Sequence, residues 1–588
     1  MVDGRAWIGD DPGMSTRGGA VHVAVTRRHY KDRVYETTLL RRSYREGGKV
    51  RTETVGNLSH LPAELIGLIR RGLAGERFVP ASGLEVRRSV PHGHAAAVLG
   101  SARGLGLDRL IDPRHSRERD LVLGMVVARV LAPASKLATA RGLDATSLGA
   151  TLGISGASED DLYAALDWLG ERQERIEKRL AERHLASGRS VYVDLSSSVV
   201  TGRHNSLAAI GYSRDGRQGT LQIEYALLTD ADGRPVAVSV VPGNTGDPAT
   251  VPATLATLRE RFGLASVVLV GDRGMLTSAR IETLRQVGFH WVSALRGPAI
   301  ARLAADGALQ LGLFDERDLA EISHPDFPGE RLVVCRNPAL AAERARKRED
   351  LLAATEAALA RIAARVEAGR LRGAARIGVA VGRVVDRHKM AKHVTLEILD
   401  DRLTFSRRDE AIAAEAALDG LYVLRASVPA DRLSAPDVVR AYKRLAQVER
   451  AFRTLKSPDL AIRPLHHWTP GRVWAHVFLC LLAYYLRWYL ERAWAPLLFR
   501  DEAPPMAADP VAPARRSSSA LAKASHHALP DGTPAHSFKT LLAELATLTR
   551  NTVVLPGAPD ESAFDIAATP TPLQARAFVL LGLSPTGT

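Results

Sequence analysis

SVVLVGD, Ser266 to Asp272, sets four apolar residues between a serine and a glycine and closes on an acid. A short apolar run bounded by turn residues reads as a strand buried on both faces, the kind found at the centre of a parallel sheet. Reading outward from it, GDPATVPATLATLRERFG (246–263) precedes it as a helix, with Asp247 expected at the cap and Pro248 at the first helical position. TSARIETLRQVG (277–288) follows as a second helix, and FHWVSALR (289–296) as the next strand. Upstream, SVYVDL (190–195) is another apolar strand, and TLQIEYALLT with RPVAVSVV forms a hairpin around Asp232-Gly233. Strand, hairpin, helix, strand, helix, strand predicts an α/β unit: a mixed five-stranded sheet with helices on its faces.

That order sets the first and fourth strands side by side. Asp194 ends the first and Asp272 the fourth, so the two carboxylates are expected to meet. A third acid lies in RAYKRLAQVERAFRTLK (440–456), read as one helix. Tyr442, Glu449 and Lys456 are seven residues apart there and share one face, beside an apolar stripe of Ala441, Leu445, Val448, Phe452 and Leu455. Arg440, Lys443, Arg444, Arg450, Arg453 and Lys456 surround the single carboxylate. Three carboxylates brought to one place are what two-metal phosphoryl chemistry requires, since hard divalent cations prefer oxygen ligands.

The surrounding chain divides into further parts. Residues 1–83 read as β-rich, with strands from 20 to 58 and a hairpin turn at Glu46-Gly47-Gly48-Lys49. Arg41, Arg42, Arg45 and Arg51 on those strands either touch phosphates or are solvated. Residues 84–188 read as a helical DNA-binding region, although no glycine-containing turn stands at the offset of a helix-turn-helix. Residues 189–296 and 420–496 are read as the core that carries the three acids and the expected catalysis, with residues 297–419 inserted between them. The insertion is partly β and carries a long helix from Pro338 to Val366. Residues 497–588, rich in Pro, Ala, Ser and His, read as a flexible linker and tail.

Composition narrows the classes. The 588 residues carry a formal charge of +14, a balance that favours a polyanionic partner, nucleic acid before membrane. The two cysteines, Cys335 and Cys480, offer neither metal-ligand spacing nor a disulfide framework, which fits a reducing cytoplasm. MVDGRAWIGDDPGM at the start lacks the basic and apolar regions of a leader. The longest apolar segment, residues 473–486, is short for a bilayer span and reads as a buried core helix.

YVDLSSS, LVGDRGM and the spacing Tyr442-x6-Glu449-x6-Lys456 resemble the three acidic motifs of DDE transposases from bacterial insertion sequences. The closest resemblance is to the insertion-sequence 4 superfamily, in its 1634-type branch, and runs from about residue 20 to residue 495. It implies a ribonuclease-H-like core with a largely β insertion before the glutamate. It also implies Mg²⁺-dependent cutting at element ends and joining of the 3′-hydroxyl to target DNA, with Mn²⁺ able to substitute. Asp194, Asp272 and Glu449 match the metal-binding triad. Tyr442 and Lys456 match residues that contact DNA near the cut. Leu445 stands where the family carries an arginine, and Arg453, one turn beyond Glu449, is the candidate to replace it.

Further DNA contacts are read at Arg450 and Arg453, which flank the triad acid. Trp291 either stacks on an unpaired base or packs in the core. Arg296 either reaches a phosphate or ends a solvated loop. His476 is read as a core histidine. The partners expected are terminal inverted repeats and target DNA, with a homodimer assembled on them and no membrane. Two other classes share these features: a ribonuclease-H-like nuclease that cuts without joining, and a domesticated DNA-binding descendant that has lost catalysis.

Overall fold

The structure, a computed structural model, describes residues 20–30, 33–76, 78, 84–309, 314–554 and 563–585. The reading of no leader rests on residues 1–14, which lie outside the described residues. Two compact units divide the chain, one from residues 1–89 with 551–566, the other from residues 90–550 with 567–588.

In the first unit, β1 (Ala20–Tyr30), β2 (Arg33–Glu46) and β3 (Lys49–Asn57) form an antiparallel meander. The predicted turn between β2 and β3 is present, and Gly47 and Gly48 both adopt positive φ, which tight hairpin turns require. A helix, α1 (Ala63–Leu73), follows. β4 (Glu85–Pro91) pairs with strands from near the C-terminus, in the order Phe564–Ala567, Thr549–Val554, β4.

The second unit opens with the expected helical stretch: α2 (Gly93–Gly104), α3 (Leu107–Ile111), α4 (Arg117–Leu131), α5 (Lys136–Ala145), α6 (Leu148–Leu152), α7 (Glu159–Gly170) and α8 (Gln173–His184). Ser158 caps α7 as read, in a reciprocal capping box with Asp161. Next come β5 (Ser190–Val199), β6 (Ala209–Ile210), β7 (Leu221–Thr229), β8 (Pro235–Pro242), α9 (Val251–Ala256), β9 (Val268–Gly271), α10 (Ser278–Gln286) and β10 (His290–Ala294). The five expected strands lie next to one another in the order β8-β7-β5-β9-β10. β5, β9 and β10 are parallel, while β7 and β8 are antiparallel to their neighbours.

The sheet is wider than the five strands expected. After α11 (Gly297–Ala305), β11 (Leu319–Ile322) and β12 (Arg331–Arg336) join it through a later strand, and the two-residue β6 flanks β7. Nine strands result. RLVVCR was expected in a separate insertion, but its apolar run is buried like any central strand. The remainder of the insertion is α12 (Pro338–Glu367), α13 (Ala374–His388), the hairpin β13 (Val394–Ile398) and β14 (Leu403–Arg407), and α14 (Asp409–Ala416). All of these but α14 share a small core around Leu359, Ile377, Val381 and Val394. Helices predominate here, against the largely β insertion that the resemblance implies.

β15 (Leu421–Ala426) returns to the sheet, antiparallel to β10 on one side and to β12 on the other. Ser434 caps α15 (Ala435–Lys443), which is followed by α16 (Leu445–Lys456) and α17 (Pro470–Ala493). α17 is long and apolar enough to cross a bilayer, yet 89% of its most apolar window is buried inside the protein. It is the core helix that the sequence predicts. The flexible linker expected after residue 496 is corrected by the structure. Leu497, Val511, Leu529 and Phe538 are buried in the main core, along α18 (Ser518–His526) and α19 (Phe538–Ala546), ahead of α20 (Pro572–Leu580). Asp501 accepts hydrogen bonds from the N–H and hydroxyl of Ser517, and buried Lys523 pairs with Glu502. Averaged composition hides single apolar anchors set far apart.

Candidate active site

The parallel register of β5 and β9 pairs Val193 with Gly271, so Asp194 and Asp272 come next on neighbouring strands. β5 runs on to Val199, so Asp194 lies within its strand rather than ending it as read. β9 does stop before Asp272, and the chain turns at once: the Asp272 carbonyl accepts from the N–H groups of Met275 and Leu276. Gly274 suits this turn because a Cβ there would lie 3.5 Å from one Asp272 oxygen and 3.0 Å from Asp247.

Glu449 arrives on α16, whose apolar side (Leu445, Val448, Ala451, Phe452, Leu455) is buried. Phe452 meets Tyr225 of β7 edge-on, with ring centroids 5.7 Å apart, and so fixes the helix across the sheet. The single helix expected over residues 440–456 is two, α15 and α16, separated at Arg444. No proline or glycine marks that break in the sequence. Tyr442 therefore belongs to α15, and Glu449 and Lys456 to α16.

Despite the break, one cleft of about 800 Å³ is lined by Asp194, Asp272, Glu449, Tyr442, Arg453 and Lys456. Leu445, at the position of the family's arginine, also lines it, and Arg214 joins from the loop between β6 and β7. Burial pushes the Asp194 carboxyl up to about 6; its bond from the Leu195 N–H opposes this, the charges of Asp272 and Glu449 add to it, and Arg214 offsets part. Burial, and then the charge on Asp272, raise the Tyr442 phenol above its ordinary value. Among the described residues, no three His, Cys, Asp or Glu side chains already converge as a metal-binding group. The donor chemistry nevertheless fits a hard divalent cation, because every acid in the cleft is a carboxylate. Burial is the first cause of the raised Asp194 carboxyl, and the repulsion from Asp272 and Glu449 that adds to it is one such a cation would relieve.

The other candidates separate. Arg453 is exposed and lines the cleft. Lys456 is largely buried and gives its ammonium to Asp215 at 3.0 Å, where Arg463 also binds. Arg450 lines a second cavity beyond α16. Arg296 is the exposed residue before α11 and lines neither cavity. The stacking role read for Trp291 is corrected: it is 2% exposed on β10, its indole N–H donates to Glu330 at 3.3 Å, and Glu330 is paired with Arg425. His476 is the core histidine expected, buried with Nε2 3.2 Å from the Ile462 carbonyl.

Four polar residues near the cleft escaped the sequence reading. Arg214 pairs with Asp247, which was read as a helix cap but makes no capping bond. Asp215 holds Lys456 and Arg463. Glu224 of β7 is buried, and burial pushes its carboxyl up to about 7, with Arg214 opposing and Asp247 adding. The segment that carries Arg214 and Asp215, GYSRDGRQG (211–219), has no apolar period; its glycines were the available signal. Gly211 and Gly243 pack backbone to backbone, and Gln222 ties both strands of that contact by donating to the carbonyls of Tyr212 and Gly243.

Comparison with known proteins adds the following. Residues 191–486 match the transposase DDE domain, and residues 23–81 match the N-terminal domain of the IS1634 family transposases. Among solved structures, a piggyBac transposase synaptic complex with hairpin DNA is similar at 8% identity and a TM-score of 0.33, covering 77% of this chain and 76% of that one. No curated protein matches the chain.

Proposed function

Since the chain belongs to the DDE transposases, of the IS1634 type, we propose that it cuts DNA at the ends of its element and joins the freed 3′-hydroxyl to target DNA. The observation that carries this reading is the cleft itself. Three acids from β5, the turn after β9 and α16 line one cavity together with Tyr442, Arg453 and Lys456. The strand order β8-β7-β5-β9-β10, with only β5, β9 and β10 parallel, supports a ribonuclease-H-like core.

In this proposal Asp194, Asp272 and Glu449 hold Mg²⁺, with Mn²⁺ able to substitute. Ions held there supply the Lewis acidity that activates water or a 3′-hydroxyl and stabilises the leaving oxygen. The protein's own groups do the rest. Asp194 ionises as pH rises through about 6 and becomes a full ligand. Arg453 and Arg214 face the cleft with guanidinium groups suited to the scissile phosphate. Tyr442 offers a hydroxyl donor beside Asp272. Asp215 aims Lys456 along the cleft wall. The helical region 84–188 and the N-terminal strands are assigned to recognition of inverted repeats, in a homodimer assembled on DNA in the cytoplasm.

The test is cleavage and joining of a labelled duplex carrying the element's own ends, with Mg²⁺. Wild type is compared with Asp194→Ala, Asp272→Ala and Glu449→Ala. Joined products that vanish in all three variants are expected. Cutting without joining would make the protein a nuclease, and binding that ignores all three substitutions would make it a non-catalytic DNA-binding protein.

A further inference from the structure

On the side of α16 away from the acids lies a second cavity, of about 1400 Å³. Five arginines line it: Arg450 from α16, Arg492 from the last turn of α17, and Arg500, Arg515 and Arg516 from the segment that composition reads as a linker. Two acids line it as well, and both are committed elsewhere. Asp501 accepts from the N–H and hydroxyl of Ser517, and Glu502 pairs with Lys523. Arg500 pairs with Glu491, and Arg492 lies over the Trp488 ring at 4.0 Å. Among the described residues, Arg450, Arg515 and Arg516 make no ion pair and donate no side-chain hydrogen bond.

Five arginines against two acids that are engaged elsewhere leave an excess of positive charge, which repels itself and becomes favourable when a polyanion fills the cavity. The cavity exceeds the roughly 300–1,000 Å³ typical of small-molecule sites. Its wall also begins one residue from Glu449. We propose that this groove binds the phosphate backbone of the DNA duplex whose scissile bond occupies the acid-lined cleft, with Arg450, Arg515 and Arg516 making the direct contacts. The proposal rests on the transposase reading for the identity of the duplex. It turns the C-terminal segment from a tether into part of the DNA-binding surface.

The experiment measures binding of a labelled duplex of arbitrary sequence to the full chain without metal, by fluorescence anisotropy, from about 50 to 200 mM salt. Arg450→Ala/Arg515→Ala/Arg516→Ala is compared with wild type. The control is Arg346→Ala/Arg365→Ala/Arg370→Ala, which removes the same charge from exposed positions of the insertion. Each lost phosphate contact lowers the slope of log affinity against log salt by about 0.9, so the groove variant should lose roughly 2.7. Its affinity at low salt should fall about tenfold or more, and the control should keep the wild-type slope. Should the triple variant fail to fold, each single substitution reads the same effect at about 0.9. An unchanged slope, or an equal fall in the control, overturns the groove. Cleavage with Mg²⁺ separates the two readings. A protein that binds through this groove but never cuts keeps the groove and loses the transposase mechanism. One that cuts while the groove variant binds with the wild-type slope does the reverse.

Discussion

Replacing Asp194 with asparagine should make the metal-free protein more stable. The carboxyl sits half-buried on β5, and its pKa is pushed up from 3.8 to about 6, first by burial. At about 1.36 kcal/mol per pH unit, keeping it ionised costs the folded state up to about 3 kcal/mol at neutral pH. A raised carboxyl pKa means that the folded state binds more protons than the unfolded chain between the two values. Stability from this group is therefore complete below about pH 4 and is lost as pH rises through about 6. The Asp194→Asn amide never ionises and is nearly isosteric, and its oxygen keeps the bond from the Leu195 N–H. In chelator, urea unfolding followed by tryptophan fluorescence should give equal stabilities near pH 4. A gap favouring the variant should open with pH and reach up to about 3 kcal/mol above pH 7. Mg²⁺ should close that gap by stabilising the wild type alone, by about 2.7 kcal/mol at a hundred times its Kd. A gap that ignores pH, or a variant less stable than wild type at pH 8, would refute the claim that Asp194 carries uncompensated charge in the apo protein.

Four other substitutions test the site and its scaffold. Trp291→Leu should leave duplex affinity within about twofold, whereas losing a stacked base would cost about 1–3 kcal/mol; a titration by anisotropy decides between them. Asp215→Asn removes the partner of Lys456 and Arg463 and should lower stability by about 1–3 kcal/mol in urea unfolding; a loss under about 0.5 kcal/mol would mean that the pair does not hold the loop in place. Gly243→Ala would bring a Cβ within 1.9 Å of the Gln222 carbonyl and should cost about 3 kcal/mol or more. Gly142→Ala, where nothing lies within 4 Å, should instead gain about 0.4–1 kcal/mol by the same urea-unfolding assay.

Local physics made much of this protein readable without coordinates. The strands around Val191–Val193 and Val267–Val270 announce themselves because both faces of each are buried, which forces a continuous apolar run. Ser158 and Ser434 mark helix starts because a cap is a bond spanning three residues. The three acids that line the cleft were legible for the same reason: two follow buried runs, and the third sits beside an apolar helical stripe. Tertiary structure decided whatever depends on pairings between distant segments. β12 looks the same in sequence whether it lies in an insertion or beside β15, because its pattern records burial and not its neighbour. Trp291 is a strand tryptophan in either reading, and Glu330, 39 residues on, makes it a core residue. Arg214 and Asp247 acquire meaning only when the glycine contact between Gly211 and Gly243 folds their loop beside Asp272. The arginines after residue 497 become a groove because Leu497, Val511 and Leu529 pin that segment to the core. Short-range rules act within a few residues and leave their mark in the chain, whereas the burial of a lone anchor depends on the volume that remote elements leave open for it.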